Sequence, residues 1–259
     1  MMKTAKAFIF DLDGTIYLGD NPIPGAVDTL KKLRLTGAKI RFVTNNPRFS
    51  RNYYTKKLNN MGVKASVDEV VTSSTLTATY LKNNPSYGKV FIVGENQLKQ
   101  ELIEAEVEVV EEEKADTVLI SFDTTLSYKK LQHAFLNIKD GANFIATNPD
   151  SVCPTPEGGL IDAGSIIAAL ESATGKKIEK VIGKPSPVLG KLLLNELDVE
   201  PENCVVVGDR VETDIKLGKQ AGMKSVWINS YKETDYINLE YKPDFIISSI
   251  AELHDVINI

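Results

Sequence analysis

Short, unbroken apolar runs alternate along this chain with stretches whose apolar residues recur at helical spacing. Residues 7–10 read as a buried strand. Pro24-Gly25 opens a helix with Ala26, Leu30 and Leu33 on one face, closed near Gly37. A second strand at 40–43 is followed by a helix at 53–61 that ends at Gly62. Val70-Val71 suggests a third strand, leading into a helix capped by Ser73 or Ser74 and running to Leu81. Strands and helices alternating at this spacing predict βαβ units and a parallel sheet.

The pattern is interrupted and then resumed. Asn83-Asn84-Pro85-Ser86-Tyr87-Gly88 is a linker-like cluster. A new α/β series follows, with strands at 90–93, 117–122 and 143–146. Its helices fall at 97–105, 128–138 and, after a long loop, 162–173. Gly175-Lys176-Lys177 returns the chain to the first pattern, and Val181-Ile182 leads into Gly183-Lys184-Pro185. A helix at 187–197, a strand at 204–207, a helix at 214–221 and strands at 225–228 and 245–247 complete it. The expected fold class is α/β: a Rossmann-like parallel-sheet core, residues 1–82 and 181–259, interrupted by a second α/β domain, residues 83–180.

Bulk properties narrow the function classes. The 259 residues suffice for a well-buried core and approach the length at which cores divide. With 42% apolar and 25% charged residues, the chain is neither disordered nor collagenous. The net charge is −5, with lysines and arginines dispersed, so neither nucleic acid nor a membrane surface is an expected partner. An anionic substrate must therefore be attracted locally, by a metal, a lysine or backbone amides. Cys153 and Cys204 show no metal or disulfide spacing. The N-terminus does not read as a signal peptide and no run approaches 18 apolar residues, so a reducing cytoplasm is the expected location.

Four apolar strands end in polar residues: Asp11-Leu12-Asp13 after the first, Thr44-Asn45-Asn46 after the second, Lys184 after Val181-Ile182-Gly183, and Gly208-Asp209 after Val205-Val206-Val207. In open parallel sheets, ligands bind beyond the carboxyl ends of the strands, where these groups are expected to converge. Two carboxylates at the edge of an apolar core are costly without a cation, a shared proton or strong hydrogen bonds. In an extended segment Asp11 and Asp13 share a face. Asp11 can serve as a carboxylate nucleophile and Asp13 as general acid and base. Asp11 and Asp209 can supply oxygen ligands to Mg²⁺, with Asp214 supporting them. Thr44, the amides after it and Lys184 offer donors to phosphoryl oxygens. Each fragment also has a plain structural reading, as a turn, a helix cap, a surface lysine or, for Cys204, a small buried hydrophobe. His133 and His254 carry no partner pattern.

Together, DLDGT (residues 11–15), TNN (44–46), GKP (183–185) and GDRVETD (208–214) resemble the four ordered motifs of the haloacid-dehalogenase superfamily phosphatases. The Asn-Asn pair and the large insertion resemble the NagD-like branch, which includes para-nitrophenyl-phosphatases and sugar phosphatases. That resemblance implies a Mg²⁺-dependent phosphomonoesterase with Asp11 forming an aspartyl-phosphate and Asp13 transferring protons. It implies metal binding by Asp11, the backbone carbonyl of Asp13, and Asp209, with Asp214 in support. Thr44 and Lys184 would bind the phosphoryl group, and Asn45 and Asn46 would help orient phosphate and substrate. The inserted domain would be a cap whose loop 147–159 approaches the substrate around Cys153, where related capped phosphatases can carry histidine. A small phosphate ester is the implied partner, and a homodimer through the cap is left open.

A mutase sharing the same intermediate and a non-catalytic phosphometabolite-binding module are the alternatives to hydrolysis. Dehalogenation requires neither Asp13 as acid nor a magnesium pair. A dinucleotide oxidoreductase lacks its GxGxxG after the first strand.

Overall fold

The computed structural model describes residues 5–153, 155, 158–230 and 240–257. The chain divides into two compact units: Met1–Thr44, Arg51–Val71 and Pro185–Ile259 form one, Asn45–Ser50 and Thr72–Lys184 the other.

The first unit is built on a six-stranded sheet in the order Phe245–Ile247, Lys224–Ile228, Cys204–Gly208, Ala7–Asp11, Lys39–Thr44, Val70–Thr72. The first five of these pair in parallel. A parallel sheet covered on both faces needs strands that are apolar throughout, and all five residues of the central strand are buried. Phe8 and Phe10, two positions apart, stack at 6.0 Å, and Phe10 meets Phe42 of the next strand at 6.3 Å. Phe10 is in register with both Val207 and Phe42, so the central strand and its two neighbours reach their carboxyl ends in step.

In the second unit the sheet has five parallel strands, ordered Lys180–Val181, Asn143–Ala146, Thr117–Ile120, Val90–Val93, Val109–Val110. Its core gathers Val118, Ile120, Phe144, Ile166 and Leu170. This unit begins before the linker-like cluster at 83, because helix Ser73–Lys82 packs on helix Asn96–Glu104.

The α/β class expected from the sequence is the one found, with corrections in detail. The strand leading to Lys184 does not return to the first sheet. Lys180 and Val181 pair with Ile145 and Ala146, and the amides of Ile182 and Gly183 donate to the carbonyls of Ala146 and Thr147 at 3.0 and 2.8 Å. Helix Ser73–Lys82 is capped by Thr72, not by Ser73 or Ser74. Thr72 Oγ1 accepts from the Thr75 amide at 3.2 Å and Thr75 Oγ1 accepts from the Thr72 amide at 3.2 Å. Ser73 is engaged elsewhere, donating to the carbonyl of Asn45 at 2.6 Å. The helix expected at 214–221 is a π-turn, Val211–Ile215, followed by helix Lys216–Gln220. Three short pairings had no sequence signal: Tyr17–Leu18 with Asn21–Pro22, Val109–Val110, and Val152–Cys153 with Leu160–Ile161. Within the loop 147–159, Pro154, Pro156 and Glu157 lie outside the described residues. No helix among the described residues is long and apolar enough to cross a membrane.

Candidate functional site

Three neighbouring strands of the first unit deliver polar residues at their carboxyl ends. Asp11 closes the central strand, Thr44 closes Lys39–Thr44, and Asp209 follows Gly208. Asp11 and Thr44 are buried, at 8% and 3% exposure. The π-turn supplies Asp214. One carboxylate oxygen from each of Asp11, Asp209 and Asp214 lies within 4.8 Å of the others. Like charges this close, two of them buried, favour a bound cation.

Two glycines make room for this cluster. At Gly14, where φ is +89°, a Cβ would fall 2.3 Å from Asp209 Oδ2. At Gly208 a Cβ would fall 2.3 Å from Asp214 Oδ2. The carboxylates therefore occupy space that any side chain would take. Asp214 Oδ2 accepts from the Arg210 amide at 3.1 Å, and Trp227 Nε1 donates to the Asp209 carbonyl at 2.9 Å. An all-oxygen donor set held in this way fits a hard divalent cation such as Mg²⁺.

Asp13 reaches its position by a turn. The strand ends at Asp11, so strand alternation does not extend to Asp13. The amides of Ile16 and Tyr17 donate to the Leu12 carbonyl at 2.9 and 3.2 Å, folding the chain back after Gly14. That turn brings the Tyr17 hydroxyl to Asp13 Oδ2, to which it donates at 3.5 Å. Burial, and next the Asp13 charge, pushes the Tyr17 phenol far above its ordinary value, so it remains a donor. The Lys57 ammonium lies 4.1 Å from the centre of the Tyr17 ring.

The remaining expected residues belong to the second unit. Asn45 Oδ1 accepts from the Lys184 amide at 2.9 Å, and Asn45 Nδ2 donates to the Lys184 carbonyl at 3.0 Å and to Asp150 Oδ2 at 2.8 Å. Lys184 is buried, at 2% exposure. Asn46 Oδ1 accepts from the Arg48 amide at 3.1 Å, and Asn46 Nδ2 lies 3.8 Å from Cys153 Sγ. Arg48 Nε donates to Glu95 at 3.0 Å. Cys204 is buried and its thiol is pushed up to about 12 by burial, as expected of a residue that only packs.

Tyr17 and Asp150 were not singled out by sequence reasoning. Tyr17 reads as one more core aromatic. Asp150 follows the apolar strand Asn143–Ala146 much as Asn45 and Asn46 follow theirs, so the strand-end rule would have found it if applied to the second sheet.

A haloacid dehalogenase-like hydrolase family model matches residues 8–108, and a HAD-hydrolase-like model matches residues 181–253. Sugar-phosphatase AraL of Bacillus subtilis is 37% identical, the alignment covering 95% of this chain and 90% of the relative. Among solved structures, 4-nitrophenylphosphatase from Thermotoga maritima superposes with a TM-score of 0.90 at 38% identity, covering 97% of each chain. NagD from Escherichia coli K-12 gives 0.87 at 29% identity, covering 96% of this chain and 98% of its own. The glycerol phosphate phosphatase of Mycobacterium tuberculosis, solved in complex with magnesium, gives 0.87 at 32% identity, covering 98% of this chain and 79% of its own. These matches, on a chain whose strand ends bear those carboxylates, make it a member of the haloacid dehalogenase-like hydrolases, in the branch of NagD and the p-nitrophenylphosphatases, and a phosphatase.

Proposed function

We propose that this phosphatase is a Mg²⁺-dependent phosphomonoesterase of small phosphorylated metabolites, sugar phosphates foremost, acting through a phosphorylated Asp11. The gathering of Asp11, Asp209 and Asp214 within 4.8 Å is the observation that carries the reading. The relatives' names, sugar phosphatase and glycerol phosphate phosphatase, support the substrate class.

A carboxylate of Asp11 attacks phosphorus, an Asp11–phosphorus bond forms and the ester bond breaks. Asp13 gives its proton to the departing alkoxide, then takes one from the water that attacks the acyl phosphate. That second attack releases inorganic phosphate and restores Asp11. The Tyr17 hydroxyl, held to Asp13, orients the carboxyl that carries the proton. Asp11, the backbone carbonyl of Asp13, and Asp209 would hold Mg²⁺, supported by Asp214; the ion supplies charge neutralisation at the phosphoryl oxygens. Thr44 and Lys184 bind those oxygens. The first unit acts as the catalytic core and the second as its cap, with Asn46 and Cys153 facing the substrate.

Asp11→Asn should lower kcat with a sugar phosphate by on the order of 10³-fold or more, with an unchanged circular dichroism spectrum. Full turnover by a folded Asp11→Asn enzyme, shown by mass spectrometry to retain the amide, would overturn the mechanism. A Mg²⁺-supplemented panel of sugar phosphates, nucleotides, phosphoglycolate and pyridoxal phosphate, ranked by kcat/KM, tests the substrate class. A ranking led by nucleotides would refute the sugar assignment.

A further inference from the structure

We propose that the Asn45 side chain is a positioning group that sets Lys184 through the carboxylate of Asp150, and is not itself a ligand of the phosphate. The inference rests on the reading of Lys184 as a phosphoryl-binding group.

A carboxamide has two N–H donors and one carbonyl acceptor. Both Asn45 N–H groups are committed, one to the Lys184 carbonyl at 3.0 Å and one to Asp150 Oδ2 at 2.8 Å. What remains is Oδ1, which accepts from the Lys184 amide at 2.9 Å. An anionic phosphoryl oxygen needs donors, and the Asn45 side chain has none to give it. Its side chain instead grips both sides of the Lys184 backbone. Gly183 lets the grip close: a Cβ there would fall 2.7 Å from Asn45 Oδ1 and 2.5 Å from the Thr147 carbonyl.

Asp150 is itself fixed. Its Oδ2 also accepts from Asn148 Nδ2 at 3.2 Å, and the same Asn148 nitrogen donates to Asp162 Oδ1 at 3.1 Å. Asp162 caps helix Ala163–Thr174, accepting from the Ala163 amide at 2.5 Å. The Gly164 amide donates to the Asp150 carbonyl at 2.7 Å, and a Cβ on Gly164 would fall 2.3 Å from the Pro149 carbonyl. The loop carrying Asp150 is thus bolted to the start of that helix. Asn45 transmits its position to the lysine, so the cap loop and the phosphate-binding cation are set together.

The experiment exchanges the two polar partners. Asn45→Asp keeps an acceptor for the Lys184 amide, removes both donors and opposes a carboxylate to Asp150. It should raise the KM of a sugar phosphate and the Ki of inorganic phosphate by about tenfold or more, while the melting temperature of Asn45→Asp tracks that of Asn45→Ala. In the double variant Asn45→Asp/Asp150→Asn, the new amide at position 150 can donate to the new carboxylate at position 45. The Ki for phosphate should return at least about halfway, on a logarithmic scale, toward the wild-type value. A double variant no better than Asn45→Asp alone, or an Asn45→Asp enzyme with wild-type Ki, would overturn the inference. Lys184→Met separates the two levels. If it weakens phosphate while Asn45→Asp does not, only the positioning role fails; if it leaves phosphate affinity intact, the reading of Lys184 fails and the inference with it.

Discussion

Gly14 shows how narrowly the carboxylate cluster is built. It combines a left-handed φ of +89° with a space already filled by Asp209. In Gly14→Ala the backbone conformation alone costs about 1–2 kcal/mol, and the methyl group must displace the Asp209 carboxylate. The variant should fold, melt several degrees lower, and need at least about tenfold more Mg²⁺ for half-maximal activity. A wild-type Mg²⁺ activation curve would show that Asp209 is not part of the metal site. At this scale the sequence exposed what is chemically costly: Asp11 and Asp209 stand out because charge directly follows an apolar strand. It hid what is chemically quiet. Tyr17 looks like packing until its hydroxyl is found on Asp13, and the Asn45 side chain, expected to help orient phosphate and substrate, bonds the Lys184 backbone and the Asp150 carboxylate.

Elements were legible where their pattern is self-contained. The strands Val90–Val93, Asn143–Ala146 and Phe245–Ile247 and the helix Pro187–Leu197 have the bounds read from the sequence. Two-residue strands were not legible, because a pairing partner and not their own composition makes them strands. For the same reason the run Val181-Ile182, expected in the first sheet, belongs to the second, where Val181 pairs with Ala146: an apolar run declares a strand but not its neighbour. The cap of helix Ser73–Lys82 gives a test at this level. Thr72→Val preserves the β-branched shape and removes the hydroxyl that accepts from the Thr75 amide. It should cost about 1 kcal/mol, seen as a lower urea midpoint at constant slope. An unchanged midpoint would return the capping role to the serines that follow.

For the molecule as a whole, the clustered carboxylates should tie stability to divalent cation. Mg²⁺ should stabilise the metal-free protein by about 2.7 kcal/mol at a hundredfold excess over its Kd, seen as a melting temperature that rises with Mg²⁺ concentration. Asp209→Asn should abolish that response, and its metal-free form should melt above metal-free wild type because one like charge has left the cluster. A wild-type melting temperature indifferent to Mg²⁺ would refute the assignment.

The pairing of Lys180–Val181 with Asn143–Ala146 also decides what can be transplanted. A chimera exchanging only residues 83–180 between two relatives would keep Asn45 and Lys184 but replace the Asp150 they were fitted to. The natural graft is Thr72–Lys184 together with Asn45–Ser50. On the proposed reading of Lys184 as a phosphate-binding group, recombination by that route would carry the lysine along with the loop, so selectivity and part of the catalytic apparatus would be inherited as a single piece.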